Sequence, residues 1–260
     1  MFILHRFFCL GLLVPLFLAT SVSLADDVPN LRGSYLGAFV PAVASSMRSA
    51  AIPYIEQDNL RRLSGDLILD GNTPVRLPLA GTLADSGICT IFGSGPDGKL
   101  VYQAQWEKLG NGAGALFGTA ALTTGGVKSN GTLFLFRPMT LGTDPKPNVR
   151  GSYAGSYRST ITGATGSVAA QIIDGTSNIL TLNLGFTSGR VTTQFTCAGD
   201  VGSDGLFVGI GVGADGVIAV VRGYIEQDLR GRLQLVGEVQ LKSAAGKPID
   251  TNSIIAILIG

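Results

Sequence analysis

Asn30-Leu31-Arg32-Gly33-Ser34-Tyr35-Leu36-Gly37-Ala38-Phe39 returns as Asn148-Val149-Arg150-Gly151-Ser152-Tyr153-Ala154-Gly155-Ser156-Tyr157, a displacement of 118 residues. The same displacement carries Ala80-Gly81 onto Ala198-Gly199, and Gly93-Ser94-Gly95-Pro96-Asp97-Gly98 onto Gly211-Val212-Gly213-Ala214-Asp215-Gly216. Toward the end of each copy it grows by one, so that Leu116-Phe117-Gly118 pairs with Leu235-Val236-Gly237. Landmarks that share one register read as a duplication. The copies are residues 26–147 and 148–260, joined by the turn-rich Gly142-Thr143-Asp144-Pro145-Lys146-Pro147. A repeat this long is a domain in its own right.

Within each copy the dominant hydrophobic period is two. Leu180-Thr181-Leu182-Asn183-Leu184-Gly185-Phe186 alternates apolar with polar or small residues, the pattern of a half-buried antiparallel strand. Turn signals fall between such runs at Asp70-Gly71-Asn72, Asp85-Ser86-Gly87, Pro96-Asp97-Gly98, Asn130-Gly131 and Asp215-Gly216. About eight strands result per copy; in the second they are expected near 151–161, 167–173, 178–187, 190–199, 205–213, 217–227, 232–241 and 252–259. Only Ala42 to Ala51 suggests a short helix. The fold class is therefore all-β: two tandem antiparallel up-and-down barrels, each closed so that no edge is exposed.

Composition narrows the function. The chain has 37 glycines, about twice the usual share, and 14% charged residues, with Lys+Arg 19 against Asp+Glu 18. A near-neutral chain has no long-range field for phosphate backbones or anionic membrane surfaces, so no nucleic-acid partner is expected. Residues 1–25 carry a basic start (His5, Arg6), an apolar run from Phe7 to Leu18, and Ser23-Leu24-Ala25 before Asp26. This is the form of a cleaved secretory signal peptide, and it predicts a secreted, periplasmic or cell-surface protein. The only histidine, His5, lies in that segment. A mature chain without histidine has no Ser-His-Asp or Cys-His system and no His-ligated zinc, so no catalytic residue, metal or cofactor is called.

Gly33-Ser34-Tyr35 and Gly151-Ser152-Tyr153 open the copies where calycin barrels, the lipocalins and avidins, have Gly-x-Trp on the first strand. The chain resembles that group in architecture over both copies, with tyrosine in place of tryptophan and Trp106 as its only tryptophan. The lipocalin arginine near the last strand is matched by Arg137 in the first copy, while the second has Ala256 or Ile257 there. The resemblance implies a barrel with a lumen and specifies no ligand.

Tyr35, Gly37 and Phe39 share one strand face, as do Tyr153, Gly155 and Tyr157, and a glycine between two aromatics leaves a gap for a neighbouring ring, a bend or a ligand. With Trp106 and Tyr224 these aromatics, Tyr35, Phe39, Tyr153 and Tyr157, are the candidate ligand-binding residues. Tyr54-Ile55-Glu56-Gln57-Asp58 recurs as Tyr224-Ile225-Glu226-Gln227-Asp228, which places two carboxylates on one strand face, the minimum for glycoside hydrolysis; solvated hairpins paired to Arg61, Arg62, Arg230 and Arg232 explain the motif more simply. Both G-x-G-x-x-G segments are followed by strand-like rather than helical sequence, so they read as hairpins and not as dinucleotide sites. Asp200 and Asp204 offer at most a weak calcium loop.

An exported pair of cysteines, Cys89 and Cys197, invites a disulfide, although the repeat does not align them. Asn130-Gly131-Thr132 is a glycosylation sequon as well as a turn signal. Ser253-Ile254-Ile255-Ala256-Ile257-Leu258-Ile259 is apolar on both faces and is expected to pack against the other copy. Three roles fit: an exported, non-enzymatic structural or interaction protein that meets another exported protein, a carrier of a small apolar ligand in a lumen, or all strands joined in one outer-membrane barrel. Membrane residence is disfavoured because the strands are short and the aromatics too few for two girdles.

Overall fold

The computed structural model describes residues 29–43, 47–71, 73–139, 145–174 and 179–259; the expected signal peptide lies outside them. The first barrel consists of β1 (Gly33–Pro41), β2 (Arg48–Gln57), β3 (Arg62–Leu69), β4 (Val75–Leu83), β5 (Ile88–Gly95), β6 (Gly98–Gly110), β7 (Ala113–Thr124) and β8 (Val127–Arg137). The second consists of β9 (Gly151–Ser159), β10 (Thr165–Asp174), β11 (Leu180–Ser188), β12 (Val191–Val201), β13 (Leu206–Gly213), β14 (Ile218–Gln227), β15 (Leu233–Lys242) and β16 (Pro248–Leu258). Each is an antiparallel meander closed on itself, β1 against β8 and β9 against β16. Sixteen strands in a single outer-membrane barrel are thereby excluded.

Period two is realised as lumen against exterior. Tyr35, Phe39, Leu67, Leu77, Leu100, Leu133 and Leu135 are among the side chains filling the first lumen, and Tyr153, Leu182, Phe195, Phe207, Val221 and Ile254 the second. An eight-stranded barrel is just wide enough for such residues to fill it. The gaps expected at Gly37 and Gly155 are occupied by the closing strand. A Cβ at Gly37 would strike the carbonyl of Phe134, and one at Gly155 that of Ile255. These glycines let the first and last strands cross closely enough to close each barrel.

Several local expectations are corrected. Among the described residues of 42–51, which leave out 44–46, there is no helix: Arg48 begins β2, Ala50 and Ile52 alternate into the lumen, and the Arg48 guanidinium donates to the carbonyls of Leu69, Asp70 and Thr73. Asn130-Gly131 lies inside β8, and the β7–β8 turn falls on Gly125-Gly126, both with positive φ. The segment 253–259 does not meet the other copy. It closes the second barrel between β15 and β9, with Ile255 and Ile259 exposed.

The barrels meet through other strands. Ala38, Leu109, Ala115, Phe117, Phe134 and Phe136 of the first pack with Val208, Ile210, Val212, Ile218 and Val220 of the second in one buried apolar cluster. These strands are buried on both faces, which explains why Thr132-Leu133-Phe134-Leu135-Phe136 and Ile218-Ala219-Val220-Val221 lack a polar side. Glu107 ties the seam at its edge, accepting from Arg222 Nη2 at 2.8 Å and Lys242 Nζ at 2.5 Å. Buried Asp200 anchors the linker, accepting from the Met139 N–H at 3.0 Å and Lys146 Nζ at 2.6 Å.

Candidate functional site

At the base of the first barrel, the end where β1 begins, Tyr35 donates its phenol to the Leu31 carbonyl at 2.7 Å; further along the lumen Tyr102 donates to that of Leu133, which faces Phe39, at 3.0 Å. Burial raises the pKa of both phenols, so they stay neutral hydrogen-bond donors. Trp106, half-buried, meets Tyr35 edge to face at 6.4 Å. The Arg137 guanidinium lies 4.6 Å from the indole centre and donates to the carbonyls of Asn30 and Arg32 at 2.6 and 2.9 Å. Charge, ring and main chain thus close the barrel floor. A shallow cleft of about 480 Å³, lined by Trp106, Arg137, Lys108 and Asp85 among others, lies beside it.

The second barrel repeats one of these bonds: Tyr153 donates to the Val149 carbonyl at 2.7 Å. The rest differs. Leu36 faces Phe136 while the equivalent Ala154 faces Ile257, so the counterpart of Arg137 is Leu258, not Ala256 or Ile257. Trp106 faces Leu116 and Ile225 faces Leu235, so isoleucine stands for the indole. The aromatic cluster of this barrel lies at the opposite end, the rim. There Tyr157 meets Phe186 edge-on at 5.1 Å and Phe186 meets Phe195 at 6.2 Å. Asn252 Oδ1 is buried nearby on β16, without a hydrogen-bond partner.

Of the six aromatics singled out from sequence, Tyr35, Phe39 and Tyr153 are packed in the lumens, Trp106 and Tyr157 are half-buried at barrel ends, and Tyr224 points outward and is half exposed. They are not gathered into one site. Cys89 and Cys197 are free, buried in different lumens, which corrects the disulfide expectation; burial pushes both thiols up to about 12. Each Tyr-Ile-Glu-Gln-Asp motif ends in a capped hairpin. Asp58 Oδ1 accepts the Leu60 and Arg62 N–H groups and Oδ2 the Arg62 guanidinium, and Asp228 does the same with Arg230 and Arg232. The main-chain bond from Arg62 or Arg232 is the chief reason both carboxyls sit below their usual pKa. The G-x-G-x-x-G segments are hairpin turns, and Asp204 accepts from Asn111 across the seam at 3.2 Å. No group of three or more metal-ligating side chains occurs among the described residues.

The feature sequence reasoning missed lies between the barrels. Above the seam a cleft of about 740 Å³ opens between the outer face of β6–β8 and the β13–β14 and β15–β16 hairpins. Its first wall is set by register: Gln103 faces Thr119 and Thr119 faces Thr132, and in the adjacent row Val101 faces Ala121 and Ala121 faces Asn130. The signal was the outward half of each alternation, legible once the pairing partners are known.

No family model matches the chain, and no curated protein does. Solved structures of similar architecture include a protein of unknown function of the DUF3598 family from Nostoc punctiforme, at 13% identity over 87% of this chain and 96% of that one, with a TM-score of 0.24. A putative AttH from Nitrosomonas europaea is 11% identical over 95% of this chain and 99% of that one, with a TM-score of 0.31. The Myxococcus xanthus hemagglutinin in complex with a mannopentaose is 14% identical over 86% and 100%, with a TM-score of 0.17. The class defined by the fold is a tandem pair of closed eight-stranded antiparallel barrels.

Proposed function

We propose that this chain is an exported, non-enzymatic structural or interaction protein whose two barrels form a rigid frame and whose partners meet its outer surface. The supporting observation is that the lumens are filled by the chain's own side chains, with the inner phenols of Tyr35, Tyr102 and Tyr153 already bonded to main-chain carbonyls. The paired carboxylates of the repeated motif serve turn geometry rather than acid-base work: Asp58 and Asp228 cap their hairpins, and Glu226 accepts from Gln234. The first barrel is proposed to be calycin-like on the strength of Gly33-x-Tyr35 and of Arg137, which reaches from the end of the last strand to the carbonyls before the first.

A carrier role is the second reading, favoured by one place. At the rim of the second barrel the unpartnered Asn252 Oδ1 and half-buried Tyr157 leave polar capacity unused. Native mass spectrometry of the protein exported by its own host, without detergent, separates these readings. The expected result is a chain beginning at Asp26 with no retained apolar adduct. An adduct of a few hundred daltons (about the size of a small apolar ligand), lost on Tyr157→Ala, would replace the frame by the carrier, and recovery only in detergent would contradict the soluble exported reading.

A further inference from the structure

We infer that the cleft between the barrels is a binding site for a neutral, polyhydroxylated ligand, a short oligosaccharide being the class that fits. Its volume, about 740 Å³, lies within the range of small-molecule sites, and both barrels are needed to form it. One wall is a flat strip of sheet on which Gln103, Thr119 and Thr132 stand side by side across adjacent strands, roughly 5 Å apart. These side chains make no hydrogen bonds to other described side chains. Thr132 is only 6% exposed, so its hydroxyl is presented from a largely desolvated position.

Beside this polar row runs another, of Val101, Ala121 and Asn130, apolar at its Val101 end. Val101 is 44% exposed on the outer barrel face, and Ile249 approaches from the opposite wall at 50%. A sugar ring presents both characters at once, hydroxyls around its edge and C–H groups on its faces. A strip of neutral donors and acceptors flanked by aliphatic side chains meets both. Charge decides against the alternatives: among the described residues Asp215 is the one charged side chain on the lining, and no lysine or arginine is there to pair with a phosphate, sulfate or carboxylate. The hairpin that supplies the second wall is held by its own bonds, with the Val217 N–H donating to Asp215 Oδ1 at 3.1 Å and the Gly216 N–H to the Gly213 carbonyl at 3.0 Å. That wall is formed before any ligand arrives, which lowers the entropic cost of binding.

Amide NMR titration of the intact chain tests this, with maltotriose, cellotriose and tri-N-acetylchitotriose as neutral probes and a heparin tetrasaccharide as the anionic one. At least one neutral probe is expected to shift the amides of Gln103, Thr119 and Thr132 and to prevail over heparin. Ala214→Trp, which fills the cleft from an exposed turn position, and Gln103→Ala should each weaken that binding by about tenfold or more, whereas Gln171→Ala on the outer face of the second barrel should leave it within about twofold. Failure of all three neutral probes at about 10 mM would overturn the proposal. So would preference for heparin, or binding indifferent to both cleft variants. None of these results would touch the frame reading, which is decided by mass spectrometry.

Discussion

The two barrels share strand order, closure and the tyrosine that hydrogen-bonds back to the residue four positions earlier, yet their ends are finished differently. The first is sealed at its base by Trp106, Arg137 and the buried Tyr35 phenol, while the second has Ile225 and Leu258 in the places of the indole and the guanidinium and gathers its aromatics at the rim. What stays constant is what closure demands; what varies is how each floor and rim is filled. Barrel geometry is therefore set by glycines and alternation, and polar networks are local additions.

The largest expected effect comes from the glycines that permit closure. Gly37→Val and Gly155→Val would drive a side chain into a carbonyl of the closing strand and should cost more than about 4 kcal/mol each. Gly185→Ala, whose added Cβ meets only ordinary contacts, should change stability by less than about 1 kcal/mol. Urea unfolding of the three variants checks this, and equal losses at Gly37 and Gly185 would show that strand crossing is not the constraint.

A smaller effect separates the two floors. Arg137→Ala removes two charge-assisted hydrogen bonds and the contact with the indole, and should cost about 2–3 kcal/mol. Because Trp106 is the chain's only tryptophan, its fluorescence reports on the first barrel alone, and its emission should shift to the red in this variant. Leu258→Ala in the second barrel should leave the native emission unchanged. A shift there would mean that the floors are coupled.

The smallest effect concerns the thiols. Cys89 and Cys197 titrate near 12 in the folded chain and near 9 when unfolded. Both stay protonated and stabilising below pH 9, and that contribution is lost as the pH rises from 9 toward 12. At neutral pH neither should react with a thiol reagent until the chain is unfolded, when both should; rapid labelling of one alone would show its barrel to be loosely packed.

Strand positions were legible in the sequence because alternation and turn residues coincide: the eight expected strands of the second copy match β9–β16 closely. Tertiary structure overrode the small residues of 42–51, where Arg48 caps loop carbonyls and Ala50 faces the lumen. The seam was not identified from the sequence, since the one segment expected to form it, 253–259, does not take part. Segments apolar on both faces do mark buried strands, but Thr132 to Phe136 and Ile218 to Val221 carried that signal truly, whereas in 253–259 it was spent on a solvent-facing Ile255. The disulfide that the sequence left open is absent because Cys89 and Cys197 point into separate lumens. The cleft was not legible at all, since it depends on which outer faces the seam brings together.

Packed through the seam, the two barrels are expected to unfold as a single cooperative body. Differential scanning calorimetry of the intact chain beside Ile210→Asp tests it most directly, because Ile210 lies fully buried in the seam and outside both lumens. One transition is expected for the native chain, with calorimetric and van't Hoff enthalpies equal, and two separate transitions in the variant. Two transitions in the native chain, or a profile that Ile210→Asp leaves unchanged, would contradict it.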